Sequence, residues 1–126
     1  MFIGRLAGLT GCTPKAIRLY EQMGLIPKPD RQGRYRVYTS HHLTLVRLIR
    51  RAQIAGFKLA EMVPLIAAKN TLNAFPVELA NEAIELKHQQ IFQQIAGLQA
   101  LAIHLGELKS EINSLFEPGA LITPHS

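Results

Sequence analysis

Residues 13–24 read Thr13-Pro14-Lys15-Ala16-Ile17-Arg18-Leu19-Tyr20-Glu21-Gln22-Met23-Gly24, and the fold is decided by this stretch. Thr is a good N-cap because its hydroxyl accepts an orphan backbone N–H, and Pro suits the first helical position. Gly24 supplies the stop. The pattern predicts a helix over 15–23, with Ala16, Ile17 and Tyr20 on or near one face and Lys15, Arg18 and Leu19 around the sides. Upstream, Phe2, Ile3, Leu6, Ala7 and Leu9 suit a shorter helix over 2–9, stopped by Thr10-Gly11. Gly11 tolerates the left-handed backbone that ends a helix. Two short helices joined through a central Gly are a helix-turn-helix signature.

Downstream, Leu25-Ile26-Pro27-Lys28-Pro29-Asp30 carries two prolines and reads as an extended connection. Arg31-Gln32-Gly33-Arg34-Tyr35-Arg36-Val37-Tyr38 then predicts a small hairpin, a wing, turning at Gly33. Three arginines are not core material, although one of the two tyrosines is expected to fill the core. Thr39-Ser40 caps a third helix, from His41 to Ala55. Its inner stripe is Leu43, Val46, Leu48 or Ile49, and Ala52, with Arg47, Arg50 and Arg51 off that face. A fourth helix runs from Leu59 to Lys69, and Pro64 implies a kink or a late start. From Val77 to about Phe116, Val77, Ile84, Ile91, Leu98, Leu105 and Ile112 recur every seven residues. Asn81, His88, Ile95 and Ala102 accompany them early, and Leu101, Leu108 and Leu115 late. Such a stripe predicts a coiled coil, because one amphipathic helix cannot bury its apolar side alone.

Charge divides the chain at the same place. Up to Phe75 there are twelve Lys and Arg against three acids, a net of +9; beyond it there are two against six, a net of −4. The basic half is a candidate for a polyanion, which the acidic half would repel. Apolar residues make up 48% of the 126, enough for a core and against wholesale disorder. No run of eighteen apolar residues suggests a membrane span. The N-terminus lacks a basic flank followed by an apolar block, so no secretory signal is read and a cytoplasmic location is expected. Cys12 is the only cysteine, which excludes a disulfide framework and a multi-Cys zinc site. It is expected to be a buried thiol in the turn between the first two helices.

Thr13, Lys15, Arg18 and Tyr20 on the second helix are candidate DNA contacts, since a major groove admits one helix and Arg or Lys pairs with guanine edges or phosphates. Arg31, Arg34, Tyr35, Arg36 and Tyr38 in the wing suit the nucleic-acid backbone. Lys58, just before a helix start, suits a phosphate. Arg47, Arg50 and Arg51 are read as solvated or paired. His41 and His42 point apart on a helix; His88 has a place open to it at the dimer seam. Gly-rich phosphate loops, paired catalytic carboxylates and zinc spacings are not seen, so an enzyme is not expected, nor a metal or cofactor. A protein adaptor recruiting through the long helix is the competing function.

Ile3-Gly4-Arg5-Leu6-Ala7, Gly11, Lys15 through Pro27, Arg34-Tyr35-Arg36-Val37-Tyr38, Ile49-Arg50-Arg51-Ala52 and Ala55-Gly56-Phe57-Lys58-Leu59 together resemble MerR-family transcriptional regulators. The resemblance covers roughly the first 70 residues motif by motif, and the long helix in layout. It implies a mostly α protein with a winged helix-turn-helix DNA-binding domain over 1–70. A linker over 71–76, a coiled-coil dimerisation helix over 77–116 and a short tail over 117–126 would follow. It implies a homodimer with antiparallel long helices, contacting through Ile84, Ile91, Ile95, Leu98, Leu101, Leu105, Leu108 and Ile112. It also implies double-stranded promoter DNA with an inverted repeat, bent and untwisted so that RNA polymerase can engage an over-long spacer. Thr13, Lys15, Arg18 and Tyr20 would lie at the major groove; Arg31, Tyr35, Arg36, Tyr38 and Lys58 would hold the backbone. The chain departs from the family in having Leu19 before Tyr20 where two tyrosines are common, and Arg34 between Gly33 and the wing's Tyr-Arg pair. It also has Pro64 in the fourth helix. Cysteines near the end of the long helix are absent, so copper, zinc, mercury or iron–sulfur sensing through them is not expected. The large C-terminal domain of the drug-sensing branch is absent too.

Overall fold

The computed structural model describes residues 1–72 and 74–116. The expected tail over 117–126, and Asn73 of the expected linker, lie outside the described residues. In order, the elements are α1 (Ile3–Thr10), α2 (Pro14–Gln22), β1 (Asp30–Gln32), β2 (Tyr35–Val37), α3 (Ser40–Ile54), α4 (Leu59–Leu72) and α5 (Val77–Leu115). The chain falls into two compact units, one over Met1–Val77 and one from Glu78 onward. The fold is the expected one: a helix-turn-helix with a wing, and a long C-terminal helix.

Local chemistry sets the boundaries of the first unit. Gly11 ends α1 in the left-handed region, φ 69°, and its N–H donates to the Ala7 carbonyl at 2.9 Å. Thr13 then caps α2, its hydroxyl accepting from the Ala16 N–H at 3.1 Å, with Pro14 at the first helical position. β1 and β2 pair antiparallel, Arg31 opposite Arg36 and Gln32 opposite Tyr35, leaving Gly33-Arg34 as a two-residue turn. Gly33 takes φ 62° there, which suits glycine. Arg34, the inserted residue, is thus accommodated within the turn.

At α3 the cap is reciprocal. The Thr39 hydroxyl accepts from the His42 N–H, and His42 Nδ1 accepts from the Thr39 N–H at 3.0 Å. With Nδ1 accepting, Nε2 is the protonated nitrogen, and it donates to the Pro27 carbonyl at 2.9 Å. His42 is buried and edge-on to Tyr38, with ring centroids 5.2 Å apart. It therefore ties the proline-rich connection to α3.

The core of this unit is assembled from the four helices α1–α4 and the connections on either side of the wing, with no residue from β1 or β2. Leu6, Ile17, Ile26, Tyr38 and Val46 are fully buried, with Ala7, Tyr20, Ile49 and Met62 beside them. Ile49, not Leu48, completes the α3 stripe, while Leu43 and Ala52 are only partly buried. Cys12 is half-buried rather than buried, packed against the core with Sγ 4.0 Å from the Tyr20 hydroxyl. Helix α4 begins at Leu59 and runs through Pro64, so it has no late start. Thr71 and Leu72, expected in the linker, belong to it.

In the second unit, α5 has 39 residues and a length of about 58 Å. Among the described residues none of its side chains is buried; the eight expected interface residues are all exposed, Ile91 least at 38%.

Two buried tyrosines make opposite demands. The Tyr20 hydroxyl donates to Gln53 Oε1 at 2.8 Å, whereas the Tyr38 hydroxyl has no partner among the described residues. Tyr20→Phe should lower stability in urea unfolding by about 1 kcal/mol, because it strands an acceptor, and Tyr38→Phe should cost less or nothing. Burial, reinforced by Cys12, pushes the Tyr20 phenol up to about 12. The unfolded chain releases that proton near pH 10, so this contribution is full below pH 10 and is lost as pH rises through about 12. Wild type should therefore lose stability over that window more steeply than Tyr20→Phe.

Candidate nucleic-acid interface

The rotation of α2 is set by the burial of Ile17 and Tyr20. At 100° per residue, that burial turns Lys15, Arg18, Leu19 and Gln22 to the opposite side, where all four are exposed. Beside this face lies an open cleft of about 720 Å³. One wall is α2, with Thr13, Lys15, Arg18, Leu19 and Gln22; Lys28 and Arg36 supply cations from the connection and the wing.

Of the expected contacts, Thr13, Lys15 and Arg18 are exposed around this cleft. Tyr20 is not: it is 2% exposed, and its hydroxyl is committed to Gln53. It seats the helix and does not face a groove. Tyr38 is corrected in the same way, at 1% exposure. Its backbone pairs with Met1 instead, the Tyr38 N–H donating to the Met1 carbonyl at 2.7 Å and the Met1 amino group donating back at 2.6 Å. Burial raises the Tyr38 phenol, and Glu21 adds to this against the opposing Arg36, Arg18 and Arg31.

On the wing, Tyr35 is well exposed and lies near Phe2, ring centroids 6.0 Å apart. Arg31 is exposed and directs Nη1 at the Arg34 carbonyl, 3.4 Å away. Arg36 is half-buried, and its Nε donates to Glu21 Oε2 at 3.0 Å. This ion pair joins the wing to α2, so Arg36 serves first as a strut. Glu21 was legible in the sequence only as one of three acids in a basic half; its partner lies 15 residues on, beyond any helical spacing. Lys28 and Gln22 carried no signal beyond charge and polarity.

Lys58 is exposed immediately before α4. Its backbone N–H donates to Glu61 Oε1 at 2.8 Å, and Glu61 N–H donates to the Lys58 carbonyl at 3.0 Å. The carboxylate caps the helix end, leaving the Lys58 ammonium to supply the positive charge there. Arg47, Arg50 and Arg51 face outward from α3.

Comparison with known proteins gives the family. A family profile described as "MerR HTH family regulatory protein" matches residues 1–69, and one described as "MerR, DNA binding" matches residues 43–108. The chain belongs to the MerR family. A ZntR homolog of Haemophilus influenzae is 32% identical over 128 residues, covering 100% of this chain and 94% of the relative. The regulator CueR of Escherichia coli O6:H1 is 37% identical over 102 residues, covering 80% and 75%. Among solved structures, PbrR691 of Ralstonia metallidurans CH34 in complex with lead(II) superposes with a TM-score of 0.65 at 28% identity, covering 87% of this chain and 86% of that one. The protein is thus a MerR-type, DNA-binding transcriptional regulator.

Soft metals such as lead take thiolate donors. Cys12 is the chain's one thiol, half-buried in the head, and among the described residues no three His, Cys, Asp or Glu stand close enough to hold a metal ion. These residues do not fit a thiolate-held metal. No helix among the described residues is long and apolar enough to cross a membrane.

Removing the strut should be visible without DNA. Arg36→Ala leaves the Glu21 carboxylate, with its side chain 13% exposed, without its guanidinium. Urea unfolding should show a loss of about 1.5–3 kcal/mol, the scale of a hydrogen bond to a charged group.

Proposed function

We propose that two copies pair through α5 and place two heads on an inverted repeat within a promoter. The dimer bends and untwists the duplex, and RNA polymerase then engages the reshaped promoter. Thr13, Lys15 and Arg18 serve the major groove; Arg31, Tyr35, Arg36 and Lys58 serve the backbone. The observation that carries this reading is the outward basic face of α2 beside an exposed arginine wing. Bending and untwisting a site costs on the order of 1–6 kcal/mol, which phosphate contacts from two heads can offset. Ile84, Ile91, Ile95, Leu98, Leu101, Leu105, Leu108 and Ile112 would form the seam. An apolar stripe recurring every seven residues, uncovered among the described residues, supports a second copy as its partner. A cytoplasmic site of action accords with this role.

Two mutations separate base reading from charge. Arg18→Ala should weaken binding to the preferred duplex and flatten its advantage over scrambled DNA. Lys58→Ala should weaken all duplexes alike and reduce the slope of log affinity against log salt by about 0.9. Titrations over several salt concentrations check both; salt-independent binding would refute the assignment. For the seam, Ile91→Asp or Leu98→Asp should give monomers by light scattering, and an unchanged dimer would place the interface elsewhere. Fluorescence transfer across an end-labelled promoter fragment should report shortening on binding if the duplex is bent.

A further inference from the structure

Leu19 is the one large aliphatic side chain in the cleft, and its neighbours explain nothing about why it is there. It is the sixth residue of the nine in α2, directly after Arg18 and 43% exposed. On the outer face it lies between Lys15, one turn back, and Gln22, one turn on. Each of those three neighbours ends in hydrogen-bond donors. Leu19 has none, and it has no part in the core that Ile17 and Tyr20 build on the opposite side. A scattered exposed leucine is ordinary on a protein surface. This one stands in the wall of the site itself.

The chemistry of the duplex narrows what it can meet. Phosphates offer charge and oxygen, for which an isopropyl group has no affinity. On the floor of the major groove the bases present amino donors, carbonyl and ring-nitrogen acceptors, and one apolar group, the thymine C5-methyl. A side chain adjacent to Arg18 follows that arginine into the groove. We propose that Leu19 is a specificity-determining residue that packs on a thymine methyl and so selects thymine next to the base contacted from Arg18. The proposal rests on the placement of α2 in the major groove.

The test uses the full-length protein and the duplex it selects from a random-sequence pool. Each thymine of that duplex is replaced singly by uracil, which removes the methyl and keeps the pairing edge. Wild type should show one position in each half-site where uracil weakens binding about fourfold, the worth of one methyl-sized apolar group. In Leu19→Ala that penalty should vanish, while Leu19→Met, which keeps an apolar side chain of similar size, should retain it. The double-mutant cycle isolates the contact from general losses of affinity. The proposal is overturned if no thymine is methyl-sensitive, if the uracil penalty survives in Leu19→Ala, or if that variant weakens every duplex equally, as packing on sugar would. Arg18→Ala separates the two levels. If it keeps full base preference, the placement of α2 fails and takes the proposal with it; if preference is lost and uracil still has no effect, only the role of Leu19 fails.

Discussion

Burial of Ile17 and Tyr20 fixes the angle of α2 about its own axis. A helix of nine residues has too few internal hydrogen bonds to be stable alone, so tertiary contact has to hold it. Ile17 supplies apolar area and Tyr20 supplies both area and direction, because its hydroxyl must reach Gln53 on α3. Those two constraints leave one rotation. Lys15, Arg18, Leu19 and Gln22 face out as a consequence, and the site is the surface complement of the core.

The wing needs separate fastening, since a two-stranded hairpin of three-residue strands is marginal in water. Its outgoing end is held by Tyr38, whose ring enters the core and whose backbone pairs with Met1. Its strand is held by Arg36 on Glu21, and the incoming connection by His42 on Pro27. Each attachment includes a polar contact, and Tyr38 adds a ring buried in the core itself. The wing is therefore positioned relative to α2 before any duplex arrives, which lowers the ordering entropy that binding must overcome.

Features set by short-range chemistry were legible in the sequence. Thr13-Pro14, Gly11 and Gly33 act within one or two turns of chain and each appears where its chemistry puts it, and the unbroken stretch from Val77 forms one helix. The tyrosines were legible only in part. Tyr20 stands three residues from Ile17, which marks the inner face, yet a phenol suits a groove equally well, and Gln53 lies 33 residues away. Tyr38 and Arg36 share the parity of a strand, but β2 ends at Val37, so alternation no longer governs Tyr38. The long-range partners Gln53 of Tyr20, Met1 of the Tyr38 backbone and Glu21 of Arg36 decided these fates, and no periodicity links them to the residues they hold.

Glu21 shows how stability and affinity are balanced within the site. An acid beside Lys15, Arg18, Lys28 and Arg36 lowers the positive potential that attracts a duplex. Its side chain is only 13% exposed, however, and it is paired at 3.0 Å, so its negative charge is largely spent on one guanidinium. Arg36 gives up part of its reach toward phosphate and becomes a spacer of fixed length between strand and helix. Lys15, Arg18 and Lys28 remain to supply the field. An unpaired Arg36 would add charge at long range and lose geometry at short range. Because reading bases depends on side chains held to within a fraction of an ångström, whereas phosphate attraction tolerates looseness, geometry is the better use of this arginine in a DNA-binding regulator.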